Sequence, residues 1–296
     1  MHMPKKSILL TGASGFIGRN LSEKLSGRFD LSAPGSKELN LADSEAVESY
    51  FKANSFDTVL HCASIGVIRK SDAKDIIGTN LSMFTNIVKC SKHFGKMIHL
   101  GSGAEYDKRL PMVRVREEEF GRSIPVDDYG RCKYKCSKHI EKAENIICLR
   151  IFGCYGKYED YETRFISNAI CKSIFGLPIT INNCNVVFSY LYVDDLARIV
   201  EHFVANDGAY KFYNAVPSET ADLLSIAEKV KKITGNPLPI SVRNSGMGLE
   251  YSGDNSRLLS ELQNFRFTPL DEGIKQLSAW YSSNKAQINQ GKLAPG

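Results

Sequence analysis

The 296-residue sequence contains no apolar run approaching the roughly 20 residues that a membrane-spanning helix requires. Its apolar stretches, such as Ser7 to Leu10 and Thr58 to Leu60, are strand-sized, so no membrane partner is expected. The charged start, Met1 to Lys6, runs into a strand and a glycine turn where a secretory signal would place its apolar region, which makes the cytoplasm the expected location. Charge of one sign is scarce as well. The formal balance is only +5, and the densest basic stretch, Lys133, Lys135 and Lys138, has no aromatic platform or nucleic-acid motif beside it, so no nucleic-acid partner is expected. Eight cysteines (62, 90, 132, 136, 148, 154, 171 and 184) lack the paired spacing of a zinc site. Cys132 and Cys136 lie one helical turn apart with no second pair, so free thiols and no metal are expected. Repeats and low-complexity blocks are missing too, and 43% hydrophobic with 24% charged residues is ordinary globular usage.

What is present is an alternation of short Ile/Leu/Val runs with longer segments of helical period, the pattern of a parallel sheet with crossover helices. Strands are predicted near Ser7 to Leu10, Asp30 to Ala33, Thr58 to His61, Lys96 to Leu100 and Ile146 to Arg150. Helices are predicted to start near Phe16, Asp43, Asp75 and Tyr129. The fold class is therefore α/β, a Rossmann-type doubly wound sheet carrying a smaller C-terminal substrate-binding lobe. The alternation breaks after Gly156, where a helix through Ile166 to Phe175 leads to Leu177 to Ile181 and then Val187 to Tyr192. Helical patterns return at Ala221 to Ile233, Ser256 to Leu262 and Asp271 to Tyr281. We divide the chain into a dinucleotide-binding unit, residues 1–155 with 185–215 returning to it, and a lobe of 156–184 and 216–285. The polar stretch Ser282 to Gly296, including the tail 286–296, is expected to fray.

The run Thr11-Gly12-Ala13-Ser14-Gly15-Phe16-Ile17-Gly18-Arg19 leaves the first strand and opens the first helix. Three glycines alone also occur in purely structural turns. With a strand before and a helix after, Gly12 gives the tight exit, Gly15 admits a pyrophosphate, and Gly18 lets helix pack on sheet. The helix N–H groups, from Ser14, Phe16 and Ile17 onward, then face phosphate. Near the end of the second strand, no carboxylate stands ready for the ribose 2′-hydroxyl of NAD. Ser36 and Lys37 offer a hydroxyl and a cation instead, Arg19 follows the last glycine, and Asn40 and Leu41 lie just beyond. The expected cofactor is NADP or NAD, with NADP preferred.

Tyr129 and Lys133, four apart on a helix, project from one face. An ammonium beside a phenol favours the phenolate and brings proton transfer within reach near neutrality. The pair alone also suits an amphipathic surface helix; a dinucleotide turn upstream and Ser102 at the carboxyl end of a strand give it a setting.

Together the glycine run, Ser102, Tyr129 and Lys133 resemble the extended short-chain dehydrogenase/reductase family. Thr58-Val59-Leu60-His61-Cys62-Ala63-Ser64 resembles its strand ending beside the cofactor, and Asn80 resembles an asparagine heading the next helix segment. Leu191-Tyr192-Val193-Asp194-Asp195-Leu196-Ala197 resembles the Tyr-Val-Asp-Asp segment of the nucleotide-sugar epimerase/dehydratase/reductase branch, and the likeness continues through Tyr213-Asn214-Ala215. The resemblance implies a nucleotide-sugar substrate. Tyr129 would exchange a proton with the sugar oxygen, Lys133 would tune it and hold the nicotinamide ribose, and Ser102 would position the oxygen. Cys62, Ala63, Ser64, Asn80 and Phe152 become expected cofactor contacts. Ser64, Ser102, Gly103, Ala104, Gly153, Arg164, Phe165, Arg243 and Tyr251 become expected substrate contacts. Helices from Asp75 to Phe94 and Tyr129 to Ala143 would form the interface of a homodimer.

Departures narrow the reaction. Dehydratases of the family carry an Asp-Glu pair where this chain has Gly103 and Ala104, neither able to move a proton. GDP-fucose synthases use a cysteine at Ala104 and a histidine at Arg164, and an arginine is a poor base. Reduction of a 4-keto-6-deoxyhexose nucleotide needs only Ser102, Tyr129, Lys133 and the cofactor, as does 4-epimerisation; chain length favours the reductase. A non-catalytic NAD(P)-binding regulator is a further alternative. Gly153 stands for a usual asparagine, Phe188 for an arginine and Glu105 for an apolar residue.

Overall fold

A computed structural model of the chain describes residues 5–65 and 75–293. In chain order its elements are β1 (Ser7–Thr11), α1 (Phe16–Leu25), β2 (Asp30–Ser32), α2 (Ser44–Ala53), β3 (Phe56–His61), α3 (Ile76–Lys89), β4 (Phe94–Ser102), β5 (Met112–Val115), α4 (Asp128–Ile140), β6 (Ile146–Ile151), β7 (Gly153–Tyr155), α5 (Phe165–Ile174), β8 (Thr180–Ile181), β9 (Val187–Phe188), β10 (Tyr190–Tyr192), α6 (Val193–Ala205), β11 (Phe212–Ala215), β12 (Ala221–Asp222), α7 (Leu223–Thr234), β13 (Ser241–Val242), β14 (Tyr251–Gly253), α8 (Ser256–Glu261) and α9 (Leu270–Ser283).

Six strands form a parallel sheet in the order β11-β6-β4-β3-β1-β2. Successive side chains point to opposite faces, so Ile8 and Leu10 join one core and Leu9 the other. The first core is closed by α1 and α6 through Leu21, Leu25, Ile199 and Phe203. The second is closed by α2, α3 and α4 through Val47, Phe51, Phe84, Ile87 and Ile140. Burial on both faces explains why the strands read as nearly continuous apolar runs. Register then aligns their carboxyl ends: Thr11 lies opposite His61, His61 opposite His99, and Ser102 opposite Ile151.

A third core gathers α5, α7 and α9 around Ile166, Ile170, Ile226, Val230, Ile274 and Leu277. Beside it runs a small sheet, β12-β9-β14-β5, in which Tyr251 of β14 lies opposite Phe188 of β9 and Met112 of β5. The helix predicted from Ala221 starts at Leu223 instead. Ala221 and Asp222 pair antiparallel with β9, and Asp222 caps the helix by accepting from the Ser225 amide at 3.0 Å. The expected fraying of the tail is not found as far as Leu293. Ile288 and Leu293 are buried in the third core, and the Asn289 amide donates to the Tyr161 hydroxyl. Residues 294–296 of that tail, and 1–4 of the charged start, lie outside the described residues. Among the described residues no helix is long and apolar enough to cross a membrane.

Candidate active site

Aspartates cap most of the helices on this edge: Asp43 caps α2, Asp75 caps α3 and Asp127 caps α4. Helix α1 differs, because Gly15 at its N-cap has no side chain to satisfy the first amides. Two glycines of this turn, Gly12 and Gly18, cannot be exchanged. Gly12 has φ +73°, and a Cβ there would lie 2.7 Å from Ala63; a Cβ on Gly18 would lie 2.1 Å from the Gly12 carbonyl oxygen. Ser14 and Gly15 are exposed at the tip. Open amides above a backbone packed this tightly fit a pyrophosphate. The floor beside it is pinned by hydrogen bonds. Thr11 Oγ1 contacts His61 Nδ1 at 2.9 Å and accepts from the Ala63 amide at 3.4 Å, while Asn80 accepts from the Ile65 amide and donates to its carbonyl. Cys62, Ala63 and Ser64 are thereby held between β1 and α3.

The remaining expected cofactor contacts scatter. Leu41 is core, with its carbonyl accepting from Asn86, and Asn40 turns back to accept from the Ala42 amide. Lys37 is exposed beyond β2, and the neighbouring Glu38 carboxylate folds back to accept from the Gly35 amide at 2.7 Å. Arg19 lies with its guanidinium 3.7 Å from the ring centre of Tyr158, and Tyr158 packs edge-on against Trp280 of α9 at 5.2 Å.

Ser102, Tyr129 and Lys133 come together. Gly130 lets α4 settle on the turn after β4, since a Cβ there would lie 2.7 Å from the Ala104 carbonyl oxygen. Ser102 is 5% exposed, and its hydroxyl accepts from the Ala104 amide at 3.1 Å. Buried Lys133 donates to the Leu100 carbonyl at 2.7 Å, with its ammonium 6.0 Å from the Tyr129 ring centre. Burial, the largest influence on Lys133, opposes its charge, yet Tyr129, Cys136, Glu105 and Cys148 together raise its proton affinity. Lys133 and Tyr129 line a small cavity with Ala63, Ser64, Asn80 and His61. His61 stays neutral, pulled to about 3 by burial and then by Lys133.

Tyr251 joins this centre. Burial pushes its phenol up, Tyr129 adds to the rise, and a side-chain hydrogen bond with Ser102 works against it. Arg243, the other expected contact of this part of the chain, is exposed just past β13 near Lys172, whose proton affinity burial and then Arg243 lower. The structure therefore separates the two. Phe152 is wedged between Gly103 and Gly253, where added Cβ atoms would lie 2.6 and 2.9 Å from its ring. It belongs to a row of aromatics that the sequence reading missed: Tyr106–Phe152 at 5.9 Å, Phe152–Tyr251 at 5.0 Å, Tyr251–Phe188 at 5.7 Å and Phe188–Tyr190 at 5.3 Å. The alternation Phe188-Ser189-Tyr190-Leu191-Tyr192 was its signal. The row explains two departures, since Phe188 is a member and a Cβ on Gly153 would lie 2.8 Å from Tyr190. Arg164 stands exposed at the N-cap of α5, and Phe165 packs on the third core. A separate cleft of about 670 Å³, lined by Lys24, Arg28, Asp194 and Arg198, contains none of the expected site residues.

A sequence profile of the NAD-dependent epimerase/dehydratase family matches residues 8–215, from β1 to the end of β11. The chain belongs to this family. Among epimerase/dehydratase relatives it is 27% identical to a dTDP-4-dehydro-6-deoxy-D-allose reductase of a Streptomyces species, over 95% of this chain and 97% of the relative. Its fold is shared with the GDP-mannoheptose C4 reductase MlghC of Campylobacter jejuni, solved with NADP bound, at TM-score 0.79 and 22% identity over 95% and 99% of the two chains. It is shared equally with a UDP-glucose 4-epimerase of Thermotoga maritima, solved with UDP-glucose, at TM-score 0.81 and 20% identity over 95% and 100%.

Proposed function

We propose that the protein reduces the 4-keto group of a nucleoside-diphosphate 4-keto-6-deoxyhexose, with NADPH as the preferred cofactor. The observation that carries this reading is the convergence of Ser102, Tyr129 and Lys133 beside the glycine cradle, with Gly103 and Ala104 where relatives place further proton-transfer groups. A dinucleotide whose pyrophosphate the Gly12–Gly18 turn would hold would supply hydride from its reduced nicotinamide to sugar C4. Ser102 holds the carbonyl oxygen, and Tyr129 delivers its phenolic proton to that oxygen as the C4–H bond forms. Lys133 steadies the resulting phenolate until solvent returns the proton. The aromatic row from Tyr106 to Tyr190 offers an apolar wall that suits the methyl end of a 6-deoxy sugar. The exposed Lys37, with Glu38 tied to Gly35, supports the 2′-phosphate of NADP.

Cofactor stoichiometry tests the reading. Absorbance at the reduced nicotinamide band is expected to fall by one equivalent per product formed, with NADPH outcompeting NADH. Interconversion of two sugar nucleotides without net loss of reduced cofactor would replace the reductase by a 4-epimerase.

A further inference from the structure

Directly beneath Ser102 lies a charge pair with almost no exposed surface, Glu105 and Arg150. The Arg150 Nε donates to Glu105 Oε2 at 2.8 Å, and Ser137 of α4 donates to the same oxygen. The other oxygen, Oε1, accepts from the backbone amide of Ser102 at 2.9 Å. Gly101 is shaped around this arrangement, since a Cβ there would lie 2.5 Å from Glu105 Oε1. Arg150 is held in turn, with its guanidinium 4.5 and 4.4 Å from the ring centres of Phe120 and Phe212. Its Nη1 donates to the Tyr106 hydroxyl, which donates to Asn214 Oδ1, both at 2.9 Å.

A buried ion pair is often replaceable by apolar side chains at no loss of stability, so stability alone does not account for a carboxylate here. Its surroundings supply the reason. The ionisable groups facing Glu105 are Lys133 and Cys136 from α4, Cys148 and Arg150 from β6, Tyr251 from β14 and Tyr106 from its own turn. We propose that Glu105 is the positioning residue of the reduction centre: its carboxylate fixes Ser102 through the backbone amide and presents negative charge to the Lys133 ammonium, with Arg150 as counter-ion. The proposal rests on the reductase reading for its kinetic arms but not for its structural one.

Two variants separate anchor from charge. Glu105→Gln keeps an acceptor for the Ser102 amide and leaves Arg150 unbalanced. Lys133, facing one anion fewer, then gives up its proton at lower pH. The alkaline limb of kcat should move down by about one unit, with kcat about tenfold lower and cofactor Kd unchanged. The double variant Glu105→Leu with Arg150→Met removes both charges and the anchor. It should lower kcat by roughly 10- to 100-fold with cofactor Kd unchanged, and Gln at 105 should retain more kcat than Leu. The limb should move less than in Glu105→Gln, because the Arg150 cation leaves with the anion. In the wild-type protein the Ser102 amide should exchange with deuterium as slowly as the core of β4. A wild-type pH limb in Glu105→Gln, or wild-type kcat in either folded variant, would overturn the proposal, as would a Ser102 amide that exchanges like an open loop. If neither variant folds, the amide measurement decides. Wild-type protein that reduces no 4-keto sugar would overturn the reductase reading instead, leaving the amide measurement to judge the anchor alone.

Discussion

Two hydroxyls at the carboxyl edge of β4 and the start of α4 are assigned different work. On the proposed reading Ser102 is a fixed partner for the substrate oxygen, its hydroxyl already accepting from the Ala104 amide, whereas Tyr129 would lose and regain a proton in every cycle. Tyr129→Phe is therefore expected to lower kcat by about 10³-fold while NADPH binding, followed by titration, stays within twofold. A second residue makes a prediction about stability. Glu159 is 7% exposed, and its carboxyl is pushed up to about 8 by burial, against a hydrogen bond from Ser167 and the charge of Arg164. Between its ordinary value near 4.5 and about 8, the folded chain keeps a proton that the unfolded chain releases. Stability from this residue is thus complete at low pH and is lost as pH rises through 8. Glu159→Gln copies the protonated acid, so its Tm should exceed that of the wild type by about 5 °C above pH 8 and converge with it near pH 5. A gap that is constant with pH would contradict this.

Whole elements differ in how openly the sequence announces them. The strands β1, β3, β4 and β6 were legible because burial on both faces leaves continuous apolar runs, and α2 and α3 because an aspartate stands at each start, whereas α4 was placed from Tyr129 although its cap is Asp127. The glycine turn was legible because all its constraints lie within eight residues. What stayed hidden depends on distant partners. Strand β5 is four residues long and finds its partner β14 more than a hundred residues later, so neither shows a pattern of its own. Glu105 read only as an oddity, although an arginine inside the run Ile146-Ile147-Cys148-Leu149-Arg150-Ile151 was a cue that a buried anion had to be near. Tyr251 and Arg243 were both expected as substrate contacts, yet β14, which holds Tyr251, and β13, which leads to Arg243, enter different sheets. The tail shows the same effect, its polar composition concealing Ile288 and Leu293 as anchors. Leu293→Ala should cost about 2 to 4 kcal/mol, or roughly 5 to 10 °C in Tm. A change under one degree would mean the tail contributes nothing to the third core.

At the scale of the whole molecule, one contact between the lobe and the first helix carries optical information. Trp280 is the sole tryptophan of the chain, and it touches Tyr158, over which Arg19 of α1 lies. A single emitter on α9 is thus joined through one ring and one cation to the helix that begins at the phosphate cradle. Fluorescence of the unlabelled protein is a one-site record of how that helix sits against the lobe. NADPH should quench the 280 nm-excited emission saturably, by tens of per cent, and Arg19→Ala should alter the spectrum of the ligand-free protein. The fluorescence change would then serve to time cofactor arrival in a stopped-flow instrument, with no dye or engineered probe.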